Sequence, residues 1–262
     1  MSIAFLNDNF LPLEQAKISP LDRGFLFGDG IYEVVPSYHG KLLGFNAHLD
    51  RMRTGLEGIN LQLGWSHEKW KSVCDELCNQ NGNGNLGLYL QVSRGADIKR
   101  YHAFPENVKP TVFCFTFEIG ASPSSDKDSA KTFSVSTAED LRWQRCHIKS
   151  TALLGNVLHF QYGHENGDDE TILYNDRHEL TEAAACNVFI VKNRVISTPP
   201  LDNQLLPGIT RNLLIDILKK HSNLDIQERV VHMNEVNNAD EIWITSSTKE
   251  IGPVIKIDGR PV

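Results

Sequence analysis

A chain of 262 residues with 40% hydrophobic content can bury one large core or two modest ones, which excludes a disordered polymer and a disulfide-stapled miniprotein. With 26 Lys and Arg against 33 Asp and Glu, the net charge is −7, so no overall positive field draws nucleic acid or an anionic membrane. No apolar run approaches the roughly 20 residues of a membrane helix, and the opening Met1 to Asp8 lacks a basic stretch followed by an apolar one. The expected setting is the cytoplasm. Cysteines at 74, 78, 114, 146 and 186 have neither CxxC nor zinc spacing and read as reduced thiols, with no metal site expected. Cys74 and Cys78 read as small core residues on one helix face, a metal pair being the alternative.

The first segment alternates short strands and turns. Glu68 to Leu77 then shows helical spacing, with Trp70, Val73, Cys74 and Leu77 on one side, and the Asn/Gly run 79–85 ends it. Leu88 to Ser93 and Thr111 to Phe117 have the β-branched and aromatic content of buried strands. The Ser/Asp-rich stretch 121–130 reads as a linker between an N-terminal lobe, 1–120, and a C-terminal lobe, 131–262. A strand at Phe133 to Ser136 follows. Next comes a helix from near Ser150, with Leu153, Leu154, Val157 and Leu158 spaced for burial. Strands are expected at Glu170–Tyr174, Asn187–Val191 and Glu241–Thr245, and a helix from about Thr210 burying Leu213, Leu214, Ile217 and Leu218. No internal repeat appears, and the pattern is α+β in two lobes.

Several positions carry chemistry. Lys149 lies beside Ile148, with Arg142, Arg145 and His147 close in sequence. Partial burial and neighbouring cations lower a lysine pKa, as a Schiff-base nucleophile requires; a surface lysine at a strand end is the competing reading. Leu205 to Arg211 sets a Pro-Gly turn before an amphipathic helix, so free amides and the positive helix end converge at Ile209 and Thr210, where an anion could bind or Thr210 could serve as a simple N-cap. Thr245 to Thr248 offers four hydroxyls after a strand, for a phosphate or for a turn. Arg23 to Glu33 is glycine-spaced but matches neither nucleotide-binding pattern, and reads as a tight turn feeding the strand of Tyr32. Arg100-Tyr101-His102 supplies a carboxylate-matching fork in a polar loop, or solvated charge.

In order, the chain reads Arg23-Gly-x-x-x-Gly-Asp-Gly-Ile-Tyr-Glu33, His48-Leu-Asp-Arg51-Met, Ile148-Lys149-Ser150, Leu153-Leu-Gly-Asn-Val-Leu158, Leu180-Thr-Glu182, Asn187-Val-Phe, Leu206-Pro-Gly-Ile-Thr-Arg211 and Ala239-Asp-Glu. This ordered set, from Asn7 to Val262, resembles the class IV (fold type IV) pyridoxal-phosphate aminotransferases. That family includes D-amino acid aminotransferase, branched-chain aminotransferase and aminodeoxychorismate lyase.

The resemblance implies a two-lobed α+β fold and pyridoxal 5'-phosphate as cofactor. It implies that Lys149 holds the cofactor as a Schiff base and shuttles the proton. Glu182 would face the pyridine nitrogen and keep it protonated. Arg51, the amides of Ile209 and Thr210, and the hydroxyls of Ser246 and Ser247 would hold the phosphate. Arg142 would lie near the cofactor, and Tyr32 on the substrate side. Arg100 and His102, with Tyr32, are similar to the carboxylate trap of the D-amino acid enzymes, which points to a D-amino acid such as D-alanine with 2-oxoglutarate as acceptor. The same resemblance implies a homodimer, with the Arg100 loop completing the neighbour's pocket, and members of the family commonly continue into a last helix past the position of Val262.

After Glu182 the aminotransferases usually show a Gly/Ser-rich loop. Here Ala183-Ala184-Ala185-Cys186 stands in its place, nearer to the lyases. The alternatives are therefore pyruvate elimination from aminodeoxychorismate, a branched-chain-type L-amino acid transaminase, and a non-catalytic protein that keeps the fold.

Overall fold

The computed structural model describes residues 2–123, 126 and 129–262. Contacts divide the chain into two units, Met1–Ser122 with Ile148–Leu153, and Pro123–His147 with Leu154–Val262. Of the expected linker 121–130, residues 124, 125, 127 and 128 lie outside the described residues.

The first unit is built on an antiparallel sheet in the order Asn9–Pro12, Ile3–Leu6, Thr111–Glu118, Asn85–Ser93, Gly30–Tyr38, Lys41–Leu42. Its longest ladder pairs Gly30 with Ser93 at one end and Tyr38 with Asn85 at the other. Along Thr111–Glu118 the two-residue period buries Val112, Cys114 and Thr116 and turns Phe113, Phe115 and Phe117 to the other face. Helices Phe45–Gly58 and His67–Gln80 supply Leu49, Met52, Leu56, Trp70, Val73, Cys74 and Leu77 to the core of this unit. Burial of each large side chain contributes about 2 kcal/mol. The Ser66 hydroxyl caps the second helix by accepting from the Lys69 amide at 3.3 Å.

Three features differ from the sequence reading. Residues Arg23–Phe27 form a short helix rather than a bare turn, capped by the Asp22 carboxylate and ended by Gly28 at φ +66°. A Cβ there would meet Ala152 at 2.8 Å, so both conformation and space require glycine. The helix Phe45–Gly58 replaces part of the expected run of strands and turns. Lys149, placed by sequence in the C-terminal lobe, is built into the first unit. Its carbonyl accepts from the Tyr32 amide at 3.0 Å, the Thr151 amide donates to the Gly30 carbonyl at 2.9 Å, and Ile148 joins the first core.

The second unit has a mixed sheet in the order Asp225–Glu228, Val195–Thr198, Asn187–Lys192, Glu241–Ser246, Glu250–Ile257, Phe133–Glu139, Glu170–Tyr174, Leu180–Ala183, with Arg260–Pro261 paired to Glu250–Ile257. Phe133–Glu139 runs parallel to Glu170–Tyr174, which demands a long crossover, and the helix Leu154–Glu165 lies in it and packs on both strands. That helix starts at Leu154, not near Ser150, because the preceding residues pair with the strand of Ile31. Its Leu154, Val157 and Leu158, expected to be buried, are 72%, 57% and 63% exposed in the single chain, while His159 and Gly163 face inward.

The helix Ile209–His221 packs Leu214, Ile215 and Leu218 against Phe189, Val191, Ile196, Ile226 and Trp243. Leu213 and Ile217, also expected inside, are exposed, since apolar residues at five of the six positions 213–218 span more arc than the sheet covers. All five cysteines are free and buried. Among the described residues no helix is long and apolar enough to cross a membrane.

Candidate active site

Within the first unit, the Lys149 ammonium donates to the Tyr32 hydroxyl at 3.1 Å and lies 4.2 Å from the centre of its ring. Tyr32 stacks on Tyr89, which packs on Phe115, so an aromatic wall extends from the amine across the sheet. Of the cations near Lys149 in sequence, Arg142 is engaged by two carboxylates of its own unit, and Arg145 and His147 are exposed.

Behind Tyr32, Glu33 points into the core and ties together two residues of the helix Phe45–Gly58. One carboxylate oxygen accepts from Arg51 Nε at 2.7 Å, and the other from Arg51 Nη2 at 2.7 Å and from His48 Nδ1 at 2.7 Å. Burial alone would raise the Glu33 pKa, but Arg51 and His48 together hold it down to about 2. The His48 pKa is lowered by burial, with Glu33 opposing and the Arg51 and Lys149 cations adding to the effect. Arg51 thus sits in a fixed fork with its guanidinium anchored along one edge.

Arg100 and His102 are exposed and flank Phe27, with the Arg100 guanidinium 5.2 Å and the His102 ring 5.3 Å from the Phe27 ring. Their loop is anchored from below. Arg23 donates to the carbonyls of Tyr101 and His102 at 2.6 and 3.1 Å, and Arg94 lies 3.7 Å over Phe104. Asp29 accepts from both Arg23 and Arg94 at 2.8 Å.

In the second unit, Glu182 is buried near the end of Leu180–Ala183. Arg142 Nη1 donates to Oε1 at 2.5 Å, while the Leu206 amide and Asn187 Nδ2 donate to Oε2 at 3.0 and 3.3 Å. Arg142 is held in turn by Asp140, which accepts from its Nε and Nη2 at 2.9 and 2.7 Å and from the Thr181 hydroxyl at 2.8 Å. Burial pushes the Glu182 carboxyl up to about 7 against the pull of Arg142. A carboxylate made this basic is a strong partner for a proton on a facing ring nitrogen.

Asn187 also donates to the Leu206 carbonyl at 2.9 Å and so fixes the turn before the helix Ile209–His221. Gly208 is the N-cap of that helix, with no side-chain cap, which leaves the first amides available at the positive end of a thirteen-residue helix. A Cβ on Gly208 would fall 1.9 Å from Asn187 Oδ1, so the turn closes only with glycine. The Thr210 hydroxyl donates to the Ser246 carbonyl at 3.0 Å, which brings the helix start and the end of strand Glu241–Ser246 together. Ser247 follows in the turn.

Sequence reading assigned no role to Glu33, His48, Asp140 or Asn187. The signal for Glu33 was present: an acid occupying the inward register of Ile31 and Val35 must have a buried cation. His48 carries the same signature beside Leu49 and Met52 on one helix. Asp140 acts through Arg142 two residues on and Asn187 through Glu182 and Leu206, and no motif in the sequence marks either pair.

The amino-transferase class IV family profile matches residues 30–257. A D-alanine aminotransferase of Listeria innocua is 37% identical over 257 residues, covering 98% of this chain and 88% of its own. One from Staphylococcus haemolyticus is 37% identical over 263 residues, covering 100% and 91%. Among solved structures, the branched-chain aminotransferase of Thermoproteus uzoniensis superposes with a TM-score of 0.88 at 22% identity, covering 100% of this chain and 89% of its own. At that identity the likeness speaks for the fold alone.

Proposed function

Since the chain belongs to the class IV aminotransferases, we propose that it transfers the amino group of a D-amino acid such as D-alanine to 2-oxoglutarate, giving pyruvate and D-glutamate. The observation that carries the choice of substrate is the 37% identity to D-alanine aminotransferases along 98% of the chain.

The donor set suits pyridoxal 5'-phosphate. An amine beside a phenol, a buried basic carboxylate with its own counter-cation, and uncapped amides at the start of a long helix match an aldehyde, a pyridine nitrogen and a phosphate in turn. When bound, this coenzyme supplies the electron sink for loss of the α-proton. Lys149 is the amine that holds the coenzyme's aldehyde carbon. Its Nζ would also carry the proton of the substrate α-carbon, with the Tyr32 hydroxyl 3.1 Å away to orient it. Glu182 holds the proton on the ring nitrogen, and Arg142 fixes the carboxylate. Arg51, the amides of Ile209 and Thr210, and the hydroxyls of Ser246 and Ser247 hold the phosphate.

Arg100 and His102 bind the substrate carboxylate with Tyr32. Their exposure in the single chain and the apolar face of Leu154, Val157 and Leu158 support a homodimer in which this loop serves the neighbouring subunit. Free, buried thiols throughout favour a cytoplasmic setting.

Incubation with D-alanine and 2-oxoglutarate is expected to yield D-glutamate and pyruvate in equal amounts. Release of p-aminobenzoate from aminodeoxychorismate, with no D-glutamate formed, overturns the reading, as does exclusive use of L-leucine.

A further inference from the structure

The ion pair that fixes Glu182 is braced from outside by the helix Leu154–Glu165. His159 is buried on the inner face of this helix, and its Nε2 accepts a hydrogen bond from the Leu141 amide at 3.2 Å. Leu141 stands between Asp140 and Arg142, the two residues whose pairing aims a guanidinium at Glu182. One turn earlier, Asn156 Nδ2 donates to the Ala184 carbonyl at 2.8 Å, in the loop just after Glu182. One helix face therefore holds the segment that delivers Arg142 and the segment that leaves Glu182.

The hydrogen bond to Leu141 fixes the chemistry of His159. An amide N–H can point at Nε2 only if that nitrogen has a lone pair, so the ring is neutral with its proton on Nδ1. A proton on Nε2 turns an acceptor into a donor facing another donor. It also places a second cation beside Arg142. The charged groups that face the ring are Asp140 and Arg142, both on the segment packed against it. From strand Glu170–Tyr174 the neighbour is Thr171, whose hydroxyl donates to the His159 carbonyl at 2.7 Å.

We propose that His159 is a positioning residue for Glu182, acting through the Leu141 amide and Arg142, and that it does so only as the neutral imidazole. The role rests on the reading of Glu182 as the partner of the coenzyme's ring nitrogen. Burial lowers the His159 pKa below the ordinary 6.5, with Asp140 opposing and Arg142 reinforcing, so the neutral form is the resting one. Acid then unlatches Arg142 from behind, and Glu182 loses its fixed counter-cation.

The test follows release of pyridoxal phosphate from the holoenzyme, read as loss of bound visible absorbance, from about pH 8 down to about pH 5. The parent is expected to release coenzyme faster as the pH falls below the histidine range. His159→Gln, whose amide oxygen can still accept from Leu141 but cannot be protonated, is expected to lose that acid limb and match the parent at the upper end. His159→Leu leaves the Leu141 amide without a partner and is expected to release coenzyme about tenfold faster at every pH, with no acid limb. Should His159→Leu fail to fold, the comparison of His159→Gln with the parent decides alone. Profiles of both variants that overlay the parent, while Glu182→Gln departs from it, overturn the role of His159 and leave that of Glu182 standing. A Glu182→Gln profile that also overlays the parent overturns the reading of Glu182 and the inference with it.

Discussion

Glu33 shows what a single buried charge imposes on its surroundings. Its carboxylate is fully enclosed and bonded by Arg51 and His48, and it is held at a pKa of about 2 against an ordinary 4.5. A carboxyl depressed on folding stabilises the native state at pH above its unfolded value, and that contribution fades as the pH falls from 4.5 towards 2. The shift is equivalent to about 3 kcal/mol. Glu33→Gln is expected to lower stability in urea by about 3 kcal/mol at neutral pH and to flatten acid unfolding between those limits. An unchanged urea midpoint contradicts this account of the cluster. Glu182 is the opposite case. Burial raises its pKa from 4.5 to about 7, so folding is disfavoured by this group as the pH rises through that interval. Under the proposed function, that cost leaves a basic carboxylate in place for the coenzyme.

Among the elements, the start of helix Ile209–His221 depends on a packing coincidence between Gly208 and Asn187. Gly208→Ala is expected to push Asn187 off Glu182 and Leu206, to cost about 1–3 kcal/mol in stability and to weaken coenzyme retention about tenfold. Adding Asn187→Ala restores room for the methyl, so the double variant is expected to be less destabilised than the sum of the two single ones. Simple additivity contradicts the proposed clash.

Apolar spacing located the helix His67–Gln80, and β-branched and aromatic content located strands buried on both faces, such as Glu170–Tyr174. Glu170–Tyr174 is a strand over the residues expected, and Thr111–Glu118 and Glu241–Ser246 each extend one residue past their expected ends. The helix Phe45–Gly58 was less legible. It begins at a left-handed Gly44 without a capping side chain and carries glycines at 55 and 58, all of which mimic turn composition. Lys149 and the Pro-Gly turn before Ile209 were singled out from local residues, and Glu182 through the family resemblance alone. Asp140 and Asn187 were marked by neither: they pair with Arg142 two residues on and Glu182 five residues back without any motif, and their further partners Thr181 and Leu206 lie 41 and 19 residues away.

At the scale of the whole molecule, Leu154, Val157 and Leu158 form one exposed apolar helix face among the described residues. Apolar spacing led to an expectation of burial within the chain, whereas the inward positions are held by His159 and Gly163. A second copy of the chain would cover this face. Leu158→Asp is expected to shift the sedimenting species from dimer to monomer while leaving the far-UV circular dichroism intact, since this residue contributes little to the core of its own unit. Transamination is expected to fall at least tenfold with it, if Arg100 and His102 of the partner subunit complete each site. Sedimentation identical to the parent contradicts the assigned interface.

The account depends most on the amine at Lys149. Reduction of the native enzyme with borohydride, followed by peptide mass mapping, is expected to leave a phosphopyridoxyl group on the peptide containing Lys149, and no such mass in Lys149→Ala. A label on any other lysine, or no label on enzyme that still transaminates, contradicts it.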